Sequence, residues 1–171
     1  MPVNLDFSTL DLVDALDLAI MIEIEALERY KLFAEQIGHR FSGDAASIFQ
    51  SMAVNEEKHG RQLIHRRQEL FGDSPPRISR TAIFDVEAPE VGAPRWNMSP
   101  LKAFQLALDS EEKAHWFYDE ALKHVTDPAV RELFSELRDE ETEHVRMVKD
   151  AIEALPPGSD VDIENQDDWY E

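Results

Sequence analysis

No cysteine occurs anywhere in the 171 residues, which removes disulfides, zinc fingers, iron–sulfur clusters and thiol nucleophiles together. Basic residues are scarce: 17 Lys and Arg stand against 36 Asp and Glu, a formal net charge of −19. Such a surface repels phosphate backbones and anionic lipid faces, so neither a nucleic-acid nor a membrane partner is expected. Long apolar runs are missing too, and none approaches the roughly 20 residues that cross a bilayer. The first twenty residues have no basic n-region and carry Asp6, Asp11, Asp14 and Asp17, so no secretory signal is expected in them. Against these absences stands a 43% apolar content, which argues against disorder, and a length that suits one domain. The expectation is a soluble, acidic, globular, cytoplasmic protein.

Helix breakers are few and concentrated. Pro75, Pro76, Pro89, Pro94 and Pro100 close or punctuate a stretch from Gly72 that also holds Gly92 and shows no helical period. That stretch, 72–100, reads as a long connection. Pro156 and Pro157 end the last periodic region, and the remainder, GSDVDIENQDDWYE, is an acidic tail with no obvious apolar face and a candidate for mobility. Residues 1–155 are therefore the expected domain and 156–171 the tail. Ser8 or Thr9 suits a first helix start, Gly38 its end, Ser42 to Asp44 a restart and Gly72 a second stop. Ser99-Pro100 and Asp127-Pro128 each set a capping side chain before a proline at the first helical position. Four helices follow, over about 10–38, 43–71, 100–125 and 128–155. Short links inside each pair make two antiparallel hairpins, and the long segment can carry the chain between opposite ends of a bundle.

Each helix has an apolar seam interrupted by ligand-type residues. The first reads Leu12, Leu16, Ala19, Glu23, Ala26, Tyr30, Phe33 and Ile37, and the second Ala45, Phe49, Met52, Glu56, His59, Leu63 and Leu70, broken at Arg66. The third reads Phe104, Ala107, Glu111, Ala114, Tyr118, Ala121 and Val125; the fourth Val130, Phe134, Leu137, Glu141, His144, Val148, Ala151 and Leu155. The third repeats the first at an offset of 88 and the fourth repeats the second at 85. With 20 Glu and 6 His in the chain, chance predicts about 0.7 Glu-x-x-His pairs, so the spacing alone carries little. Three occur, and Glu112-x-x-His115 lies on a half-polar face with Gln105, Leu108, Asp119 and Leu122, which reads as solvated surface. Glu56-x-x-His59 and Glu141-x-x-His144 stand out by their seams and by the repeat.

Four interior glutamates as unpaired anions would each cost several kcal/mol of desolvation and would repel one another. Together they would consume the roughly 5–15 kcal/mol by which a domain is stable. Two divalent cations neutralise four carboxylates and accept neutral imidazoles, so the pattern points to a dinuclear metal site. Carboxylate and imidazole donors without thiolate suit iron or manganese, tolerate zinc and argue against copper(I). Residues three apart project to one side of a helix, so Glu56 with His59 and Glu141 with His144 can each clasp an ion. Glu56 and Glu141 are placed to bridge, Glu23 and Glu111 to bind terminally.

These residues resemble the ferritin-like di-iron carboxylate proteins, in particular their rubrerythrin-like branch, over about residues 10–155, crossover included. The resemblance implies a ferritin-like antiparallel four-helix bundle holding two iron ions on Glu23, Glu56, His59, Glu111, Glu141 and His144, with Tyr30 and Tyr118 hydrogen-bonding beside the site. It implies a di-iron oxidoreductase that oxidises Fe(II) with hydrogen peroxide or dioxygen, as a peroxidase or a ferroxidase, with an external electron donor that the sequence leaves unidentified. Two departures are visible. With no Cys the chain lacks a rubredoxin module, and Ala114 stands where rubrerythrins proper carry an additional glutamate. A non-catalytic iron-binding or storage protein is the alternative that the −19 charge favours, and oxygenation of an organic substrate a further one that would need an apolar tunnel.

Bland readings suit the rest. Glu25, Glu28, Glu57, Glu140 and Glu143 read as solvated, His39 and His65 as surface residues, and His124 as a last-turn cation; Trp96, Trp116 and Trp169 have no assignable role. A second stripe on the first helix, Val13, Ile20, Ile24 and Leu27, predicts burial against another subunit, hence a homodimer or larger homo-oligomer.

Overall fold

The computed structural model describes residues 6–38, 44–78, 86, 95 and 97–162. His39, Ser42, Pro89, Gly92, Trp96, Trp169 and most of the crossover lie outside the described residues. Among those described, a short 3-10 turn at Phe7–Thr9 precedes four long helices: α1 (Leu12–Ile37), α2 (Ala45–Phe71), α3 (Pro100–Leu122) and α4 (Pro128–Glu153).

Local chemistry explains most of the boundaries. Asp44 accepts the Ser47 amide at 2.9 Å, Ser99 that of Lys102 at 3.3 Å, and Asp127 those of Ala129 and Val130 at 2.8 and 3.1 Å. Each side chain satisfies donors that a helix start leaves orphaned. Gly38 at φ 69° and Gly72 at φ 60° close α1 and α2, a backbone region open to glycine at no steric cost. The start of α1 differs from expectation. Ser8 and Thr9 sit in the 3-10 turn capped by Asp6, and Asp11 is the α1 cap, accepting the Asp14 amide at 3.0 Å. Burial of Phe7 and Leu10 draws the turn into the core and moves the helix start to the next available carboxylate.

The helices run side by side as a ferritin-like four-helix bundle, and the buried apolar residues form two separate clusters. One joins the beginning of α1 (Leu16, Leu18, Ile22) to the ends of α2 and α3 (Leu63, Phe117, Tyr118) and the beginning of α4 (Val130, Phe134, Leu137). The other joins the end of α1 (Tyr30, Phe33) to the beginnings of α2 and α3 (Phe49, Met52, Ala103, Ala107) and the end of α4 (Val148). Hence α1 and α4 run one way and α2 and α3 the other, and α3 begins at the opposite end of the bundle from the end of α2. Between the clusters lies a layer holding Glu23, Glu56, Glu111 and Glu141, each at most 2% exposed.

Ion pairs pin the start of the crossover to α1. Asp17, 3% exposed, pairs with Arg67 and accepts the Arg77 amide at 3.0 Å, while the Arg77 guanidinium reaches Asp14 at 2.7 Å and Asp11 at 2.6 Å. Val86 is buried in the first cluster and Ile78 packs against it. The first residues of the acidic tail fold back on α3: Ser159 accepts the Leu101 amide at 3.0 Å, and Asp162 accepts the Ser99 amide at 3.2 Å and pairs with Lys102. An acidic side chain at a helix N-terminus is favoured by the dipole and by the orphaned amides there. Of the second stripe on α1, Val13 is buried, Ile20, Ile24 and Leu27 are half-buried, and Ile20 and Leu27 pack on the chain's own clusters.

Candidate metal centre

Each hairpin contributes three potential ligands. Glu23 of α1 meets Glu56 and His59 of α2, and Glu111 of α3 meets Glu141 and His144 of α4; within each trio the donor atoms lie within 4.8 Å of one another. The i, i+3 spacing turns each Glu-x-x-His pair toward the glutamate of the neighbouring helix. The trios face each other, with the His59 and His144 rings stacked at 4.7 Å between centroids and 8° between planes. Glu112, by contrast, is half exposed and pairs with Lys149 at 2.9 Å.

Electrostatics in this layer are those of carboxylates crowded together out of water. Burial, then the charges of Glu56, Glu141 and Glu111, hold the Glu23 carboxyl well above the usual carboxylate range. Burial likewise pushes Glu141 up to about 8, with the Glu111 charge adding and His144 opposing. Burial together with the charges of His144 and Lys58 pushes His59 down to about 4. Burial opposes a charge on His144 too, but its Nδ1 lies 3.1 Å from Glu111 Oε2 and 3.3 Å from Glu141 Oε2, and these carboxylates push it up to about 10. Oε2 of Glu23 and Oε1 of Glu111 are buried with no hydrogen-bond partner. Orphaned carboxylate oxygens at this depth are costly in a protein with nothing bound to them. A divalent cation in each trio removes that cost, so the donor set fits two such ions.

Tyr30 and Tyr118, both wholly buried, pack against Phe49 and Phe134 respectively, one in each apolar cluster. Two residues that the sequence reading passed over, Asn55 and Met147, also frame the site. A cavity of about 120 Å³ is lined by Met52, Glu56, Phe104, His144, Met147 and Ala151 among others. Met147 follows His144 by three residues, a spacing that placed it beside the ligand in the sequence. A larger groove of about 500 Å³ between α1 and α2, lined by Lys31, Glu35, Gln50 and Glu57 among others, touches none of the six ligand-type residues.

Fold and site together define a ferritin-like bundle with two carboxylate–imidazole clusters, each able to hold a metal ion. The rubrerythrin family model matches residues 14–152, with a further match over 102–170, and the chain belongs to the rubrerythrin family. Among solved structures, an uncharacterized conserved protein from Magnetospirillum magnetotacticum is similar at 31% identity and a TM-score of 0.65, over 86% of this chain and 97% of that one. A hypothetical protein from Pyrococcus furiosus matches at 23% identity and a TM-score of 0.53, over 88% of this chain and 95% of that one. A bacterioferritin from Rhodobacter capsulatus, described with a metal-free dinuclear site and heme iron, matches at 19% identity and a TM-score of 0.52, over 82% of each chain. The last two likenesses concern the fold alone. No curated protein sequence matches. Among the described residues no helix is long and apolar enough to cross a membrane.

Proposed function

We propose that this protein is a di-iron oxidoreductase that oxidises Fe(II) with hydrogen peroxide or dioxygen. The observation that carries the reading is the buried layer of four carboxylates and two imidazoles in which Glu23 Oε2 and Glu111 Oε1 have no hydrogen-bond partner. Two ferrous ions bound there would supply one electron each, together the two that take hydrogen peroxide with two protons to two waters, or dioxygen with two protons to hydrogen peroxide. Glu23, Glu56 and His59 would hold one ion and Glu111, Glu141 and His144 the other, with Glu56 and Glu141 the carboxylates that the two ions would share. The carboxylates of Glu111 and Glu141, 3.1 and 3.3 Å from His144 Nδ1, favour the protonated imidazole, with which a cation held in that trio would compete. The apolar clusters on either side keep bulk water from the layer, and Tyr30 and Tyr118 orient carboxylates from within them. Manganese and zinc satisfy the same donors, and of the two only zinc has no electron to give.

Oxygenation of an organic substrate is disfavoured by size, since the cavity beside the site is about 120 Å³ against the ~300–1,000 Å³ of pockets for drug-sized molecules. A homodimer or larger homo-oligomer, the state that light scattering reports, would cover what the chain's own packing leaves exposed of Ile20, Ile24 and Leu27.

Stopped-flow oxidation of Fe(II) tests the reading. Wild type is expected to turn over repeatedly without accumulating iron, and Glu56→Ala with Glu141→Ala to lose at least 100-fold in rate. Equal rates in the two proteins overturn the reading; iron retained stoichiometrically after a single oxidation supports storage instead.

A further inference from the structure

Of the six ligand-type side chains, the four carboxylates are essentially sealed, whereas His59 and His144 retain 14% and 9% side-chain exposure. Solvent therefore reaches the layer along the α2–α4 seam, where the two rings stack. On one side of the stack lies the 120 Å³ cavity, formed by Met52 and Glu56 of α2, Phe104 of α3, and His144, Met147 and Ala151 of α4. On the other lies a recess of about 100 Å³ lined by Gln62, Arg66, Glu136 and Glu140 and reaching His59. The second recess mixes Leu63, Leu133 and Leu137 with charged groups, among them the Arg66–Glu136 ion pair. The first is walled by two thioethers, an aromatic ring and aliphatic groups.

The cavity with Met52 and Met147 has a distinctive position. Glu56 belongs to the first trio and His144 to the second, so a molecule in it touches one ligand of each. The recess at His59 touches ligands of the first trio only. A two-electron oxidant served by two one-electron donors has to reach both trios, and only the first of these two spaces gives that reach. Its volume admits a few atoms, and apart from Asn55, Glu56 and His144 its walls are apolar and offer no counter-charge to an anionic guest.

Resting on the function proposed above, we infer that the cavity between Met52, Phe104, Met147 and Ala151 is the holding site for a small uncharged oxidant, with Phe104 and Met147 setting the size it accepts. Met147, 46% exposed, stands at the mouth, and Met52, 6% exposed, lies inside. Thioether side chains are flexible and polarizable, so they yield to a guest of two heavy atoms without opening the core to water. The Asn55 amide, also in the lining, offers one polar contact, enough for peroxide and unnecessary for dioxygen.

Three readouts test this on the full-length protein. Xenon probes an apolar cavity without any redox chemistry, and crystals under xenon pressure are expected to show an atom beside Met147 in wild type and none in Ala151→Phe. Cobalt(II) titration is expected to give two equivalents in both proteins. In ferrous-loaded protein, Ala151→Phe is expected to slow oxidation at least tenfold, whereas Met147→Ala is expected to raise the rate with tert-butyl hydroperoxide at least fivefold relative to hydrogen peroxide. If Ala151→Phe does not fold by circular dichroism, Phe104→Trp takes its place with the same expectations. A filled variant with unchanged oxidation rates, or Met147→Ala with unchanged oxidant selectivity, overturns the inference. Failure of wild type to oxidise iron at all overturns the proposed function instead, and the xenon site then still reports whether the cavity admits a small apolar guest.

Discussion

On the hairpin of α1 and α2, the His59 imidazole lies 3.9 Å from Glu23 and is pushed down to about 4. On the hairpin of α3 and α4, its counterpart His144 lies 3.1 Å from Glu111 and 3.3 Å from Glu141 and is pushed up to about 10. The residues are the same in both copies of the repeat, and the difference is one of proximity. His144 has two carboxylates close enough to keep its proton, whereas His59 has burial and cationic neighbours working against it. A repeated motif thus holds one imidazole that burial drives toward its neutral form and one that two carboxylates drive toward its protonated form.

The largest expected effect comes from removing one trio at a time. His59→Ala and His144→Ala are each expected to cut iron oxidation by at least 100-fold, because either leaves a single one-electron donor in place. Cobalt(II) titration should fall from two equivalents to about one tight equivalent in both. Retention of two tight equivalents in either variant would break the division into trios.

A smaller effect follows from the opposed imidazoles. Glu141 and His144 have raised values in the folded state, so each contributes stability present below its ordinary value and lost as pH climbs through about 8 and about 10 respectively. His59, lowered, contributes stability present above its ordinary value and lost as pH falls through about 4. Metal-free protein is therefore expected to lose stability between pH 6.5 and 8, by urea unfolding in the presence of chelator. The slope should persist in His59→Ala, weaken in His144→Ala, and flatten when zinc is restored. Equal slopes in the two variants would erase the asymmetry.

The smallest effect sharpens the comparison at the backbone. Gly60 follows His59, and its counterpart at the repeat offset is Val145; a Cβ at Gly60 would lie 3.5 Å from the Glu23 Cβ, an ordinary contact. Gly60→Ala is expected to stabilise the protein by about 0.5–1 kcal/mol through helix propensity, with metal stoichiometry unchanged. Loss of one equivalent would show that the first trio depends on that close approach.

Much of this was legible in the residue pattern because long helices write their burial in steps of three and four. Glu23 among Leu16, Ala19, Ala26 and Tyr30 marks a polar group inside an apolar seam, and the repeat singles out Glu141-x-x-His144 from Glu112-x-x-His115. Caps spoke through one side chain each, as Ser99 and Asp127 did; the α1 start went astray because Ser8, Thr9 and Asp11 all qualify and only burial of Phe7 and Leu10 chooses among them. Contacts between distant segments had no such local signature. The Asp17–Arg67–Arg77 clasp and the return of Ser159 and Asp162 onto α3 join residues about 50 to 63 positions apart. The proximity that separates His59 from His144 is likewise a matter of packing, invisible in two identical spacings.

The carboxylate layer that parts the two apolar clusters gives this bundle an inverted pattern of rigidity. Ordinary helical rods loosen from their tips, where hydrogen bonds lack neighbours, and stay shut at mid-length. Metal-free protein is expected to grip side chain on side chain most firmly toward both tips and least at the waist, so that amide protons near Glu23, Glu56, Glu111 and Glu141 exchange ahead of those flanking Leu16 or Phe33. Cations held by the two trios would reverse that order and rivet the waist.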